Sequence, residues 1–183
     1  MKKNVLFIHS AGTQGLHQGS SDLAAYLQDA LGDEYNVSHP EMPNPENPEY
    51  MLWKGQIKKE LSTLDGEVIL IGHSLGGSVL LKYLSEETCK LPILGLFLIA
   101  APFWGKDEDW QAQEYTLQDD FVSRLPQISH IFIYQSRDDE IVPFSHLDHY
   151  AEILPQVITR ELDDHGHYFN NGAFEVIGDI KGI

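Results

Sequence analysis

The stretch EVILIGHSLGGSVLLKYL, residues 67–84, constrains this chain more than any other. An apolar run ends in Gly-His-Ser-Leu-Gly-Gly, and a second apolar run follows at once. The first run is continuous, as a strand buried on both faces should be. The second reads as a helix. Passing directly from strand to helix requires a sharp turn, with its central residue held in a strained backbone conformation. Gly72 and Gly76 supply room for that turn, and Gly77 lets the helix pack closely on the sheet. The turn exposes the hydroxyl of Ser74 at the carboxyl end of the strand, beside a helix N-terminus that favours negative charge. A bare Gly-x-Ser-x-Gly arises by chance in about one chain of this length in twenty. The flanking strand and helix make the signal specific. The plain alternative is a glycine-rich turn with an idle serine.

The rest of the chain repeats this alternation. Strands are predicted at 4–9, 35–39, 67–72, 92–100, 130–136 and 156–162. Helices are predicted through 23–32, 50–64 and 78–87, and near 144–153 and 173–178. Such an order predicts a parallel sheet covered by helices on both faces, and 183 residues suit one domain, 1–183. The segment HPEMPNPENPE carries four prolines, which exclude regular structure. It is short, and one pattern continues on both sides of it, so it is not read as an interdomain linker. The longest interruption, 101–120, is too aromatic for a simple linker and too polar for core. Loops of this kind serve as lids or binding loops.

Composition excludes several classes of function. The formal net charge is −16, and such a surface repels phosphate backbones and anionic lipid heads. Neither nucleic acid nor a membrane is an expected partner. The start, MKKNVLFIHSAG, has four continuous apolar residues after its lysines, whereas a signal-peptide core needs about seven to fifteen. No run approaches the roughly eighteen apolar residues of a membrane span. A cytoplasmic location is expected. Cys89 is the only cysteine, so no intrachain disulfide can form. Its place late in a predicted helix suggests a buried structural thiol.

Further motifs accompany the elbow: MPNPENPEYMLWK before the third strand, ILIGHSLGG at the turn, APFW after the fourth strand, DDEIVPF after the fifth, and GHYFN near the end. With these the chain resembles a small α/β-hydrolase. More narrowly, it resembles the serine hydrolases grouped with retinoblastoma-binding protein nine and YdeN. The resemblance spans nearly the whole chain. GHSLGG marks only the superfamily; the Pro-rich segment followed by Trp53, with the short length, points to the narrower family. The resemblance implies a three-layer α/β/α fold, six mostly parallel strands in the order 2-1-3-4-5-6, and no large cap domain.

A neutral serine is a weak nucleophile and needs a base and an orienter. In α/β-hydrolases these follow in the order nucleophile, acid, histidine. His9, His17, His39, His73 and His130 precede any plausible acid, and His73 sits in the elbow, where the family tolerates varied residues. His146 and His149 lie in a helix directly after the acid turn and read as a surface face. His165 and His167 remain. Gly166-His167 followed by an aromatic matches the family, which favours His167 over His165. For the acid, the superfamily string of Asp, a variable pair and Val-Pro fits Asp139 through Glu140, Ile141, Val142 and Pro143. Such a carboxylate fixes the histidine tautomer and stabilises the imidazolium. Asp138 reads as a turn residue bonding its own backbone; Asp163 and Asp164 are weaker rivals.

A metal at Asp163, Asp164, His165 and His167 is the competing reading. A catalytic zinc wants three ligands in fixed geometry, yet neither HExxH nor paired-Cys spacing is present, and the elbow would be unexplained. An oxyanion hole needs two backbone donors. The N–H of Leu75 is one. The other is expected in His9-Ser10-Ala11-Gly12, where Ser10 departs from the superfamily's usual His-Gly; Ala11 is the expected donor and Ser10 the nearest alternative.

The expected function is hydrolysis of a small-molecule carboxylic ester, or a thioester or amide, through an acyl-serine, with no cofactor and no metal. Phe103, Trp104 and Trp110 are expected to wall the acyl pocket or to pin their loop to the body. The rival from another class is a protein-binding module that keeps the fold with little turnover. A protein partner is possible, although around Cys89 the chain reads Glu87-Thr88-Cys89-Lys90, without an LxCxE-type partner motif.

Overall fold

The computed structural model describes residues 2–183. A six-stranded, all-parallel sheet runs through the molecule in the order β2-β1-β3-β4-β5-β6. The strands are β1 (Lys3–Ile8), β2 (Tyr35–Ser38), β3 (Val68–His73), β4 (Ile93–Ile99), β5 (Ile131–Ser136) and β6 (Val157–Leu162). The helices are α1 (Ser21–Leu31), α2 (Tyr50–Ser62), α3 (Leu75–Glu86), α4 (Phe121–Arg124), α5 (Ser145–Ile153) and α6 (Phe174–Lys181). Among the described residues no helix is long and apolar enough to cross a membrane.

The central strands are continuous apolar runs because both of their faces are buried. Successive side chains point to opposite faces, so one strand feeds two cores. Leu6, Ile8, Leu70, Leu96, Leu98, Ile131 and Ile133 join the core beneath α2, α3 and α5. Val5, Phe7, Ile69, Ile71, Phe97, Ile99, Phe132 and Tyr134 join the other, beneath α1 and α6. On α2, Trp53, Ile57 and Leu61 recur at helical spacing and are buried. β6, one of the two edge strands, is only half-buried along most of its length.

The Pro-rich segment is a brace, not a linker. Its carbonyls accept the Trp53 indole N–H (Pro43, 2.9 Å) and the Gly12 N–H (Pro45, 2.7 Å), which ties the loop after β1 to α2. The 101–120 segment is fastened as well. The buried Lys82 ammonium donates to the carbonyls of Glu114 and Thr116, both at 2.8 Å, and Tyr115 Oη donates to Pro48 at 2.7 Å. Cys89 departs from expectation: α3 ends at Glu86, and Cys89 lies half-buried in the following connection, with its Sγ 3.6 Å from the Leu91 carbonyl.

Candidate active site

In parallel α/β sheets, functional groups gather at the carboxyl ends of the strands. Here β3 ends at His73 and α3 begins at Leu75, leaving Ser74 alone in the turn with φ 52° and ψ −124°. That region is costly for a residue with a side chain. Two backbone approaches impose it. A Cβ on Gly72 would lie 2.5 Å from Gly77 Cα, and one on Gly76 would lie 2.3 Å from the Ile8 carbonyl oxygen. The elbow is therefore wedged between its own helix and the end of β1. The Ser74 N–H donates to the Ile99 carbonyl at 2.8 Å, which fastens the turn to β4.

The loop after β1 lies against this elbow. The Ser10 N–H donates to Ser20 Oγ at 2.8 Å and the Gly12 N–H to Pro45. Among the described residues, the N–H groups of Ala11 and Leu75 have no acceptor. Of the two candidates in this loop, Ser10 is thus occupied and Ala11 is free. His9 is buried, and its pKa is lowered to about 4 by that burial and then by the neighbouring His39.

β5 and β6 bring the acid and the second histidine loop together. His167 Nδ1 lies 2.9 Å from Asp139 Oδ2 and 3.1 Å from Oδ1, with both side chains buried. Asp139 also accepts from Gln135 Nε2 (2.8 Å) and from the backbone N–H groups of Ile141 (2.8 Å) and Val142 (2.9 Å). Burial pushes its carboxyl upward, but the His167 bond and charge, with these backbone donors, hold it below the ordinary carboxylate value. An ionised acceptor at Nδ1 places the imidazole proton there and leaves Nε2 as the basic nitrogen.

Asp138 and His165 point elsewhere. Asp138 Oδ1 accepts from Ser136 Oγ and from the Gly166 N–H at 3.0 Å, and Ser136 Oγ accepts the His165 N–H at 3.1 Å. Asp138 is more than a turn residue: it ties the histidine loop to the end of β5. His165 Nδ1 donates to the Asp163 carbonyl at 2.6 Å, and its ring packs near Phe169 and Phe174. Among the described residues no three His, Cys, Asp or Glu side chains form a metal-holding group.

Two histidines have roles that sequence reasoning missed. His146 is fully buried rather than part of a surface face. Its Nδ1 accepts the Phe103 N–H at 2.7 Å, so the proton sits on Nε2, which lies 3.0 Å from Asp107 Oδ2 without the alignment of a hydrogen bond. His73 is also fully buried, and its Nε2 lies 2.8 Å from the His167 carbonyl oxygen.

Phe103, Trp104 and Trp110 are each packed against other side chains of the body. Phe103 is 7% exposed and packs edge-on against Tyr150. Trp104 packs on Trp110 and Tyr115 and donates its indole N–H to Ser78 Oγ at 3.2 Å. Trp110 packs against His146. The hollow beside Phe103 and Trp104, about 360 Å³, runs toward Phe121 and Ile153, and neither Ser74 nor His167 lines it. These contacts pin the segment to the body of the fold.

The sequence profile of the serine hydrolases matches residues 17–176. The chain belongs to the serine hydrolase family. It is 25% identical to YdeN of Bacillus subtilis (strain 168) over 175 residues, covering 95% of this chain and 90% of that protein. The crystal structure of the B. subtilis ydeN gene product superposes with a TM-score of 0.77 at 22% identity, covering 99% of this serine hydrolase and 98% of that chain. The meta-cleavage product hydrolase CumD of Pseudomonas fluorescens IP01 gives 0.73 at 14% identity, covering 97% and 87%. The fold is that of the α/β-hydrolases, with no large cap domain.

Proposed function

We propose that this serine hydrolase is a single-domain esterase that cleaves small carboxylic esters through an acyl-serine intermediate. The observation that carries the reading is the His167–Asp139 pair, which leaves the basic His167 Nε2 at the sheet edge that also bears Ser74. In the first half-reaction Nε2 takes the Ser74 hydroxyl proton as Oγ attacks the ester carbonyl carbon. The developing oxyanion is held by the N–H groups of Leu75 and Ala11. The tetrahedral adduct collapses, and the imidazolium gives its proton to the departing alkoxide. Water then attacks the acyl-serine by the same route and releases the acid. Thioesters and amides follow the same path with different leaving groups. The chemistry draws on no cofactor, and the net charge of −16 argues against nucleic acid as substrate.

With no large cap over the strand ends, loops alone hold the acyl group. We infer a preference for short chains, falling gradually with length, because each methylene in an apolar pocket discriminates by only about 1–3 kcal/mol. The test is labelling of the purified protein by a fluorophosphonate, beside Ser74→Ala, followed by aryl esters of graded acyl length. Labelling of the wild type alone is expected. Equal labelling of Ser74→Ala overturns Ser74 as nucleophile, and an unlabelled, inactive wild type overturns the esterase reading.

A further inference from the structure

His73 immediately precedes the proposed nucleophile, and its ring reaches across 94 residues of sequence to the proposed base. The contact is to the backbone: the imidazole Nε2 lies 2.8 Å from the carbonyl oxygen of His167. A carbonyl can only accept, so Nε2 is the donor and carries the ring's proton. Burial, and next the neighbouring His167, lower the His73 pKa to about 3, so the ring stays neutral and this tautomer is fixed. The cost is visible at the other nitrogen. Nδ1 is buried and has no partner among the described residues. An apolar side chain at position 73 would avoid that penalty, and an unpaired buried acceptor calls for an explanation. The Nε2 bond supplies it. The His73 and His167 rings lie 5.0 Å apart, and the Tyr168 ring lies 5.9 Å from His73.

We propose that His73 is a positioning residue that ties the backbone of the histidine loop to the serine elbow and so sets His167 against Ser74. This rests on the esterase reading above. Asp139 orients the His167 ring from one side, but His167 sits in a loop where Asp164, Gly166 and Phe169 all have positive φ. Orienting a ring does not by itself fix the height of its backbone. The Asp138 bond to the Gly166 N–H holds that backbone from β5, and the His73 bond holds it from the residue next to Ser74. A base displaced by about 1 Å can cost on the order of 100-fold in turnover.

The test uses three variants of the full chain, His73→Leu, His73→Gln and His73→Asn, with a short-chain aryl ester. The Gln amide nitrogen can occupy the place of Nε2, whereas the Asn amide occupies that of Nδ1 and falls short of the carbonyl. The expectation is a fall in kcat of roughly 10- to 100-fold for His73→Leu and His73→Asn. KM should change by less than about twofold, fluorophosphonate labelling should slow in parallel, and His73→Gln should recover most of the rate. Equal losses in all three folded variants, or no loss in His73→Leu, overturn the positioning role. If a variant fails to fold, nitrogen-15 spectra of the wild type decide: a protonated Nε2 that does not titrate between pH 5 and 9 supports the proposal, and a protonated Nδ1 overturns it. A wild type without ester turnover or labelling refutes the esterase reading instead, and is told apart because it appears before any substitution at position 73.

Discussion

His167 Nδ1 lies 2.9 Å from Asp139 Oδ2, and the same carboxylate is held by Gln135 and by the backbone of Ile141 and Val142. A carboxylate with that many donors cannot swing away from the imidazole. Asp139→Asn keeps the shape but removes the charge that selects the Nδ1–H tautomer, and should lower kcat by about four orders of magnitude. Asp138→Asn disturbs only the tethers to Ser136 and Gly166 and should cost far less. Steady-state ester hydrolysis by the two folded variants checks the ranking, and a larger loss in Asp138→Asn would reverse it.

Two glycine substitutions should move stability in opposite directions. In Gly76→Ala the new methyl meets the Ile8 and His9 carbonyl oxygens at 2.3 and 2.5 Å, and backbone cannot retreat cheaply. Gly55→Ala, in the exposed middle of α2, meets nothing within 4 Å and should stabilise by about 0.5–1 kcal/mol. Thermal melts should show a higher midpoint for Gly55→Ala and a markedly lower one, or no folded protein, for Gly76→Ala.

Phe103→Ala should act on stability rather than specificity. The ring is buried against Tyr150 in the core beneath α5, and its loss should cost about 3–5 kcal/mol, a drop of roughly 6–20 °C in Tm. The acyl-length profile of the folded fraction should overlay that of the wild type. A changed profile would return Phe103 to the acyl pocket.

Acid should unfold the protein partly through Asp179. Its carboxylate accepts from Arg160 Nη2 (2.7 Å), Arg160 Nε (2.9 Å) and Tyr134 Oη (2.8 Å). Burial raises its pKa, but the Arg160 and Tyr134 hydrogen bonds outweigh that and leave it lowered. A depressed folded-state pKa contributes stability above the unfolded value, near 4, and that stability disappears as pH falls through the folded value. Wild-type Tm should therefore decline below about pH 4, and Asp179→Asn should show a lower plateau at neutral pH with a shallower acid decline. Parallel curves for the two proteins would remove Asp179 from the account.

The sheet was legible because its strands carry their own signal. Continuous apolar runs such as VLFI and VILI mark burial on both faces, whatever the loops do. The spacing of Asp139 to Val142-Pro143 has a local reason: Asp139 Oδ1 bonds the N–H groups two and three residues on, so that spacing is part of the turn itself. The burial of His146 was not legible, because it depends on Asp107 and Phe103 folding back from another strand end. What the sequence could not show is which N–H in the loop after β1 is already taken: that of Ser10 is bonded to Ser20 ten residues away. The four-residue α4 is shorter than any periodicity can announce.

Ser74 occupies a backbone conformation that glycine would adopt with less cost. Ser74→Gly is thus a change that folding alone would welcome and that deletes the hydroxyl. Under drift constrained only by the need to fold, position 74 should decay toward glycine. A screen that selects variants of this chain for heat resistance, without an activity filter, would erode the elbow first, and the frequency of glycine at this position would report how much purifying pressure the reaction itself exerts.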